Sequence, residues 1–185
     1  MFLRFLGKVV FKFSNWKTPV WPDEVSKCIC IEAPHTSMWD FFWGKAYFAS
    51  IGMKTYFLIK KEVFVFPFGA ALKALGGLPV DRKNSSFLVE KLTDMLIKKK
   101  EFSLVITPEG TRKATKRWKY GFFYIAQKTK LPIVVSYIDY RKKELGIFGV
   151  ILLQEDDKVE EVMAKIKKMY TGITAKYPEN FNCEV

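Results

Sequence analysis

Histidine, cysteine and long apolar runs are all scarce in this chain. Its 185 residues include one histidine, His35, and three cysteines. Cys28 and Cys30 lie two residues apart in a β-rich run, so their side chains share one face of a strand and we expect both to be buried. An odd and sparse cysteine count excludes a disulfide framework and suits a reducing compartment. A metal site would need more ligands than these residues supply.

No apolar run approaches the roughly 18 residues of a helix that crosses a membrane. The longest runs, such as residues 145–153, have the length of a buried strand. Arg4, Lys8 and Lys12 interrupt the apolar core that a secretory signal peptide needs. We therefore expect a protein that is neither exported by that route nor embedded across a bilayer.

Acidic residues are outnumbered in this chain, and aromatic residues are plentiful. The chain carries 31 Lys and Arg against 19 Asp and Glu, a net charge of +12, and 16% of its residues are aromatic. The positive charge favours anionic partners, which include nucleic acid, anionic lipid head groups, acidic carrier proteins and phosphate-bearing substrates. We expect some of the surplus aromatic rings to face lipid or an acyl chain rather than the core.

The N-terminal stretch combines positive charge with apolar surface. Arg4, Lys8 and Lys12 follow one another at i, i+4 and i+8, which places them in one stripe of a helix. Phenylalanine, leucine, valine and tryptophan cover most of the remaining circumference. This pattern is typical of a helix that lies in a membrane interface. A helix packed on its own domain is the alternative, because its pattern is similar. We interpret residues 1–20 as an amphipathic membrane-associating helix and residues 21–185 as the folded domain.

Strand-like and helix-like segments alternate along the rest of the chain. This order predicts an α/β fold in which helices flank a mostly parallel mixed β-sheet, with an antiparallel pair at its end. In such sheets, ligands bind beyond the carboxyl ends of the strands. The predicted strands are 27–33, 54–61, 78–80, 102–107, 131–140 and 145–153, and the predicted helices are 37–50, 66–77, 84–100, 120–129 and 157–177.

The single histidine falls at one of these strand ends, in the stretch PHTSMWD (34–40). Asp40 follows His35 by five residues, in a predicted helix. That offset is roughly 140° around a helix axis, so the two side chains meet only if His35 lies in the turn before the helix. A carboxylate that reaches one imidazole nitrogen leaves the other free to act as a general base towards a hydroxyl. If only these two residues are considered, the alternative to a catalytic pair is a structural histidine in the turn, with Asp40 exposed to solvent on its helix.

Two further stretches place charged residues after strands. TPEGTR (107–112) presents Glu109, Gly110, Thr111 and Arg112. Glycine permits a close approach of the backbone to a ligand, and arginine offers a planar donor fork for phosphate. Residues 60–82 end in a second arginine, Arg82, which could serve the same purpose. The alternative is that Arg82 forms an ion pair on the surface.

Taken in order, these blocks resemble the motifs of the glycerolipid acyltransferases, the lysophosphatidate (PlsC-like) acyltransferase family. The block H-x-x-x-x-D is His35 to Asp40. The block K-x-E-x-x-x-x-P-x-x-G…G-x-[IL]-x-V-D-R lies within 60–82, [FT]-P-E-G-T-R is 107–112, and an apolar run around a proline is 131–135. Each block is unspecific by itself, whereas the ordered set over residues 30–136 is specific.

The resemblance implies a glycerol-phosphate acyltransferase-like fold, an acyltransferase domain at 21–185, and no cofactor or metal. It implies acyl transfer from an acyl carrier protein or coenzyme A thioester to a lipid hydroxyl, without an acyl-enzyme. His35 would deprotonate the acceptor hydroxyl, and Asp40 would orient His35. The substrate-binding residues that it implies are Arg82 and Arg112, which hold an acceptor phosphate, and Glu109, Gly110 and Thr111, which belong to the acceptor site.

The sequence departs from the family pattern around the acceptor. Pro34 stands where phospholipid-making members often have asparagine, and the fourth block lacks a second proline. We expect 1-acylglycerol-3-phosphate as the acceptor, with another lyso-lipid such as an aminolipid as the alternative. The expected location is peripheral, on the anionic cytoplasmic face of the cell membrane.

A basic module that binds nucleic acid is the rival interpretation from another class. Basic and aromatic residues interleave in RKATKRWKY (112–120), a composition that suits single-stranded nucleic acid. The same composition suits anionic lipid or an acidic carrier protein. Nucleic-acid binding leaves the His35 and Asp40 pair and the amphipathic N-terminus unexplained, so we expect no nucleic-acid partner.

Overall fold

A six-stranded sheet organises the chain. The computed structural model of the protein describes residues 2–80, 85–98 and 101–184. The strands are β1 (Lys27–Ala33), β2 (Thr55–Lys60), β3 (Gly77–Val80), β4 (Phe102–Ile106), β5 (Ile133–Asp139) and β6 (Glu144–Ile151). The helices are α1 (Phe2–Ser14), α2 (Met38–Ile51), α3 (Phe68–Ala74), α4 (Ser85–Ile97), α5 (Gly121–Thr129) and α6 (Val159–Met169).

The strands lie in the order β3-β2-β4-β1-β5-β6. β1 pairs in parallel with β4 on one side and with β5 on the other, and β6 pairs antiparallel with β5. This arrangement confirms the predicted mostly parallel mixed sheet with an antiparallel pair at its end. Because parallel strands align their carboxyl ends, the residues that follow β1, β4 and β5 converge on one edge of the sheet.

Each face of the sheet packs its own core, because side chains alternate between faces along a strand. Ile31 of β1 faces the core beneath α4, α5 and α6, which includes Phe122. Cys28 and Cys30 face the opposite core, which includes Phe48 of α2. The predicted burial of both cysteines is confirmed, and this burial raises the pKa of the Cys28 thiol to about 12.

α1 packs on α2 and leaves a wide apolar surface open. A Cβ atom at Gly7 would lie 2.6 Å from the carbonyl oxygen of Ala46, so the two helix backbones approach closely there. The large apolar side chains that stay exposed on α1 are Phe2, Leu3, Phe5, Leu6 and Phe13. The helix therefore contacts its own domain and still presents apolar surface outward. None of the described helices is long and apolar enough to span a bilayer.

α6 is shorter than the predicted helix over 157–177. It ends at Met169, and the hydroxyl of Tyr170 donates a hydrogen bond to the carbonyl oxygen of Ser136 at 2.7 Å. Gly172 then adopts a φ of +86°, a left-handed conformation that ends a right-handed helix. Ile173 still packs against the core from beyond the helix end. The apolar spacing that predicted a longer helix therefore continues past its true end.

The predicted helix over 84–100 is observed as Ser85–Ile97. Residues 84, 99 and 100 of that prediction lie outside the described ranges.

Candidate active site

The loop between β1 and α2 carries the single histidine. β1 is buried along nearly its whole length and delivers the chain to Pro34 at the carboxyl edge of the sheet. Ser37 caps α2, since its side chain accepts a hydrogen bond from the backbone N–H of Trp39, and Asp40 accepts one from the backbone N–H of Ser37 in return. His35 therefore lies in the turn before the helix, which is the condition for contact with Asp40.

Asp40 is held firmly beside His35. Its Oδ2 accepts hydrogen bonds from the backbone N–H groups of Thr36 (2.8 Å) and Ser37 (2.7 Å), and its Oδ1 accepts one from the hydroxyl of Tyr140 (2.6 Å). Nδ1 of His35 lies 3.5 Å from Oδ2, which is close enough for an ion pair and too long for a hydrogen bond. Among the described residues Nδ1 has no hydrogen-bond partner. Contacts of this kind are often long without substrate and shorten in the complex.

Glu109 supports His35 from the end of β4. Its Oε2 accepts a hydrogen bond from the backbone N–H of His35 at 2.8 Å, and the residue is buried. Burial raises the pKa of Glu109 to about 8; the His35 N–H acts against this shift, and the negative charge of Asp40 adds to it. The resemblance placed Glu109 in the acceptor site, and in the structure its carboxyl reaches the backbone of the histidine loop.

Three other predicted site residues, Gly110, Thr111 and Arg112, follow Glu109 on the same loop. Gly110 lines the cavity beside His35 with a left-handed φ of +65°. Thr111 and Arg112 are exposed on the loop that follows. Arg112 forms no ion pair with any residue in the described ranges. Arg82 lies outside the described residues.

An apolar cavity of about 930 Å³ opens beside His35. Cavities that bind lipid-sized ligands have this order of volume. β2 and β4 pair over three residues only, Thr55–Phe57, and the cavity opens where the two strands end. Its apolar wall comes from α2, β2, β4 and α5 and includes Phe41, Phe48, Phe57, Leu58, Val105, Ile106, Phe122 and Ile125.

Ionisable side chains in the cavity wall were not predicted, among them Lys45 and Glu32. Lys45 of α2 donates hydrogen bonds to Oγ1 of Thr55 (2.7 Å) and to a backbone carbonyl oxygen at the end of α3 (2.9 Å), and burial lowers its pKa. Glu32 of β1 is also buried, and this burial, with the negative charges of Asp40 and Glu109, raises its pKa to about 8. The alternation of β1 could have placed Glu32 on the face of the two cysteines, towards α2.

Tyr140, the third hydrogen-bond partner of Asp40, also escaped prediction. It follows β5 and lies 100 residues after Asp40 in the chain. β5 is a parallel neighbour of β1, so the residues that follow these two strands meet at one edge of the sheet. Burial and the bond to Asp40 raise the pKa of Tyr140 well above its usual range, so the hydroxyl stays protonated and donates.

The basic segment 112–120 is anchored by its tryptophan. The ring of Trp118 is buried against Tyr170, with the ring centroids 5.6 Å apart, and its Nε1 donates to the carbonyl oxygen of Asn182 at 3.1 Å. A buried ring cannot stack on a nucleic-acid base, so Trp118 is not available for stacking, whereas Tyr120 of the same segment is exposed. Lys119 of the same segment lines the cavity.

A histidine–aspartate pair thus lies at the carboxyl edge of an α/β sheet, beside a large apolar cavity. A family model described as Acyltransferase matches residues 23–139, a stretch that contains His35, Asp40 and TPEGTR. The chain belongs to this acyltransferase family, which confirms the resemblance found in the sequence.

Curated relatives carry the name 1-acyl-sn-glycerol-3-phosphate acyltransferase. One from Cocos nucifera is 36% identical over 101 residues, which cover 49% of this chain and 33% of that protein. Another from Streptococcus pneumoniae is 33% identical over 103 residues, which cover 55% of this chain and 38% of that protein. The chain thus spans little more than a third of the length of these relatives.

A solved structure shares the fold. The chain is similar to the 1-acyl-sn-glycerophosphate (LPA) acyltransferase PlsC from Thermotoga maritima, with a TM-score of 0.56. The likeness covers 94% of this chain and 80% of that one, at 18% sequence identity. It confirms the predicted fold class, a mostly parallel mixed sheet flanked by helices.

Proposed function

We propose that this chain transfers a fatty acyl group from an acyl carrier protein or coenzyme A thioester to the hydroxyl of a lysophospholipid. The observation that carries the proposal is the position of His35 and Asp40 beside the apolar cavity. The name shared by the curated relatives supports 1-acylglycerol-3-phosphate as the first acceptor.

In this reaction His35 is the general base, and the acyl group passes directly between substrates. Its imidazole takes the proton of the acceptor hydroxyl as the hydroxyl oxygen attacks the thioester carbonyl carbon. The new carbon–oxygen bond forms, the carbon–sulfur bond breaks, and the departing thiolate takes the proton back from the imidazolium. Asp40 stabilises the imidazolium while it exists.

The protonation of Glu109 suits this division of roles. A pKa of about 8 leaves its buried carboxyl mostly protonated at pH 7, so it adds little negative charge beside the base. Asp40 is then the carboxylate that faces the imidazole. Glu109 contributes by fixing the backbone of His35 through its hydrogen bond.

The acceptor phosphate is assigned to Arg112 and Arg82. The guanidinium of Arg112 is exposed and forms no ion pair with the described residues, so its donor fork is available to a phosphate. Another lyso-lipid, such as an aminolipid, is the alternative acceptor, and the proline before His35 is the feature that favours it.

The chain is proposed to bind the cytoplasmic face of the cell membrane as a peripheral protein. The open apolar side of α1 supports this location, because aromatic rings and lysines on one helix suit a membrane interface. Further exposed apolar side chains lie at the start of α2 and around the start of α3, namely Met38, Trp39, Phe42, Phe66 and Phe68.

To test the proposal, the purified protein is incubated with a panel of lyso-lipids and with an acyl thioester of either acyl carrier protein or coenzyme A. Mass spectrometry of the lipids should detect an added acyl chain on 1-acylglycerol-3-phosphate. The absence of acylated product from every donor and acceptor pair would contradict the proposal.

A further inference from the structure

One carboxyl group in the wall of the apolar cavity has no side-chain partner among the residues that the structure describes. Glu32 is 6% exposed and lines the cavity that also holds His35. It forms no hydrogen bond or ion pair with any residue that the structure describes. Burying a polar group without a hydrogen bond is unfavourable, and a cavity for a plain hydrocarbon chain gains nothing from it.

The helix opposite Glu32 is shaped to admit its carboxyl. Gly44 lies in the middle of α2, where glycine is less favourable than alanine. A Cβ atom at Gly44 would lie 2.7 Å from Oε2 of Glu32, so any other residue would displace the carboxyl. Leucine at position 32 would remove the buried carboxyl, and alanine at position 44 would remove the helical glycine. The protein nevertheless has Glu32 and Gly44 together.

We propose that Glu32, in the space opened by Gly44, forms a hydroxyl-binding subsite that selects a hydroxylated acyl chain over an unsubstituted chain of the same length. This inference rests on the proposed acyl transfer. The acyl chain that the subsite selects is that of the thioester donor. The donor's carrier is soluble, so the acyltransferase has to shelter the whole acyl chain during transfer. The chain of a lyso-lipid can remain in the membrane.

The short polypeptide segment between Glu32 and His35 limits where on the acyl chain the bound hydroxyl can lie. Glu32 precedes His35 by three residues, so their Cα atoms are at most about 11 Å apart. The subsite is therefore near the reacting end of the acyl chain. A hydroxyl within the first several carbons of the thioester can reach it, and a hydroxyl at the far end of a long chain cannot.

The chemistry of the carboxyl matches a neutral hydroxyl. Burial raises the pKa of Glu32 to about 8, so most of the group is protonated at pH 7. A protonated carboxyl donates one hydrogen bond and accepts another, which satisfies both the proton and the oxygen of a hydroxyl. A bound hydroxylated chain would then give the carboxyl hydrogen bonds that no described residue provides.

The test compares acyl thioesters of one length that are unsubstituted, hydroxylated at carbon 3, or hydroxylated at the terminal carbon. Wild-type protein should have the highest kcat/KM with the 3-hydroxy chain. Glu32→Leu should lower the ratio of 3-hydroxy to unsubstituted kcat/KM by about ten- to a hundredfold, because it removes a buried hydrogen-bonding pair. Glu32→Gln should keep the ratio within about threefold, since an amide also donates and accepts. Glu155→Leu, at an exposed glutamate that pairs with Lys130 on the surface, is the control and should leave the ratio unchanged.

A binding measurement separates this inference from the proposed function. Calorimetry should show that wild-type protein binds a free 3-hydroxy fatty acid more tightly than the unsubstituted acid, and that Glu32→Leu loses the difference. Preferential binding without any acyl transfer would retain the subsite and overturn the proposed function. Equal use of both chains by wild-type protein, or an unchanged ratio in Glu32→Leu, would overturn the subsite.

Discussion

Replacing Tyr140 with phenylalanine removes one hydrogen bond from the aspartate of the candidate site and little else. The hydroxyl of Tyr140 donates to Oδ1 of Asp40 at 2.6 Å, and Oδ2 keeps its two backbone N–H donors. The ring packs edge-on against Trp16 at 5.1 Å, a contact that phenylalanine preserves. Tyr140→Phe therefore tests whether the orientation of Asp40 matters to turnover.

The size of the effect follows from the charge and burial of Asp40. A hydrogen bond to an ionised group contributes about 1.5–3 kcal/mol, and the carboxylate of Asp40 is fully buried. We expect the free energy of unfolding in urea to fall by about that amount. With Oδ1 released, the carboxylate turns away from His35 more easily, and we expect kcat to fall about tenfold, or about 1.4 kcal/mol of transition-state stabilisation. KM should stay within about twofold, because Tyr140 does not line the cavity.

Tyr47→Phe is the matched control for this prediction. The hydroxyl of Tyr47 donates to the carbonyl oxygen of Pro19 at 3.2 Å, away from Asp40. Its loss should lower stability by about 1 kcal/mol and leave kcat unchanged. Thiol release from the thioester donor measures turnover in both variants. If Tyr140→Phe and Tyr47→Phe turned over equally fast, the orienting role of Tyr140 would be refuted.

Three further predictions concern the membrane, the phosphate and pH. Phe5→Ser with Phe13→Ser should release the protein from anionic vesicles in a flotation assay, because these exposed rings supply apolar contact, whereas high salt should weaken wild-type binding only in part. Arg112→Lys should raise KM about tenfold more for a phosphate-bearing acceptor than for a lyso-lipid without phosphate, since lysine lacks the donor fork. Glu109 and Glu32 each hold a proton in the folded state from an ordinary pKa of 4.5 up to about 8, so each should lower wild-type stability by about 1.4 kcal/mol per pH unit as pH rises through that window. Glu109→Gln should remove the Glu109 contribution, and so reduce the slope, in urea unfolding at several pH values.

Each of the three has a neighbouring control. Val20→Ser, at an exposed apolar residue outside α1, should leave vesicle binding unchanged. Lys113→Ala, beside Arg112, should leave the ratio of the two acceptor KM values unchanged, and Glu101→Gln should leave the pH dependence of stability unchanged. Vesicle binding that survives the double phenylalanine change, equal KM increases for both acceptors, or a wild-type pH slope in Glu109→Gln would each contradict the corresponding prediction.

Local patterns in the sequence left two alternatives open for His35 and Asp40, and the family resemblance implied that the two residues pair; long-range strand pairing produced their surroundings. A buried strand, a serine cap and an aspartate in the first helical turn are all read within 15 residues, so the turn that joins them was predictable. Tyr140 reaches Asp40 only because β5 pairs with β1, and no spacing in the sequence expresses that pairing. The same limit applies to Glu109, whose bond to the His35 backbone depends on β4 lying beside β1.

The errors of the sequence interpretation have physical causes of the same kind. Apolar residues at helical spacing indicate which residues are buried, and they do not prove that the backbone is helical. Ile173 is packed against the core, so the prediction for α6 continued past the left-handed turn at Gly172. Glu32 was overlooked because a glutamate in an apolar strand carries no motif. Its meaning comes from the cavity and from Gly44, which belong to the folded chain.

Turnover by His35→Ala tests the central claim most directly. The measurement is steady-state acyl transfer from a thioester to 1-acylglycerol-3-phosphate, with urea unfolding to confirm that the variant is folded. If His35 is the general base, kcat should fall by about 10²- to 10⁴-fold while KM changes little. A folded His35→Ala protein that turns over at close to the wild-type rate would contradict the account.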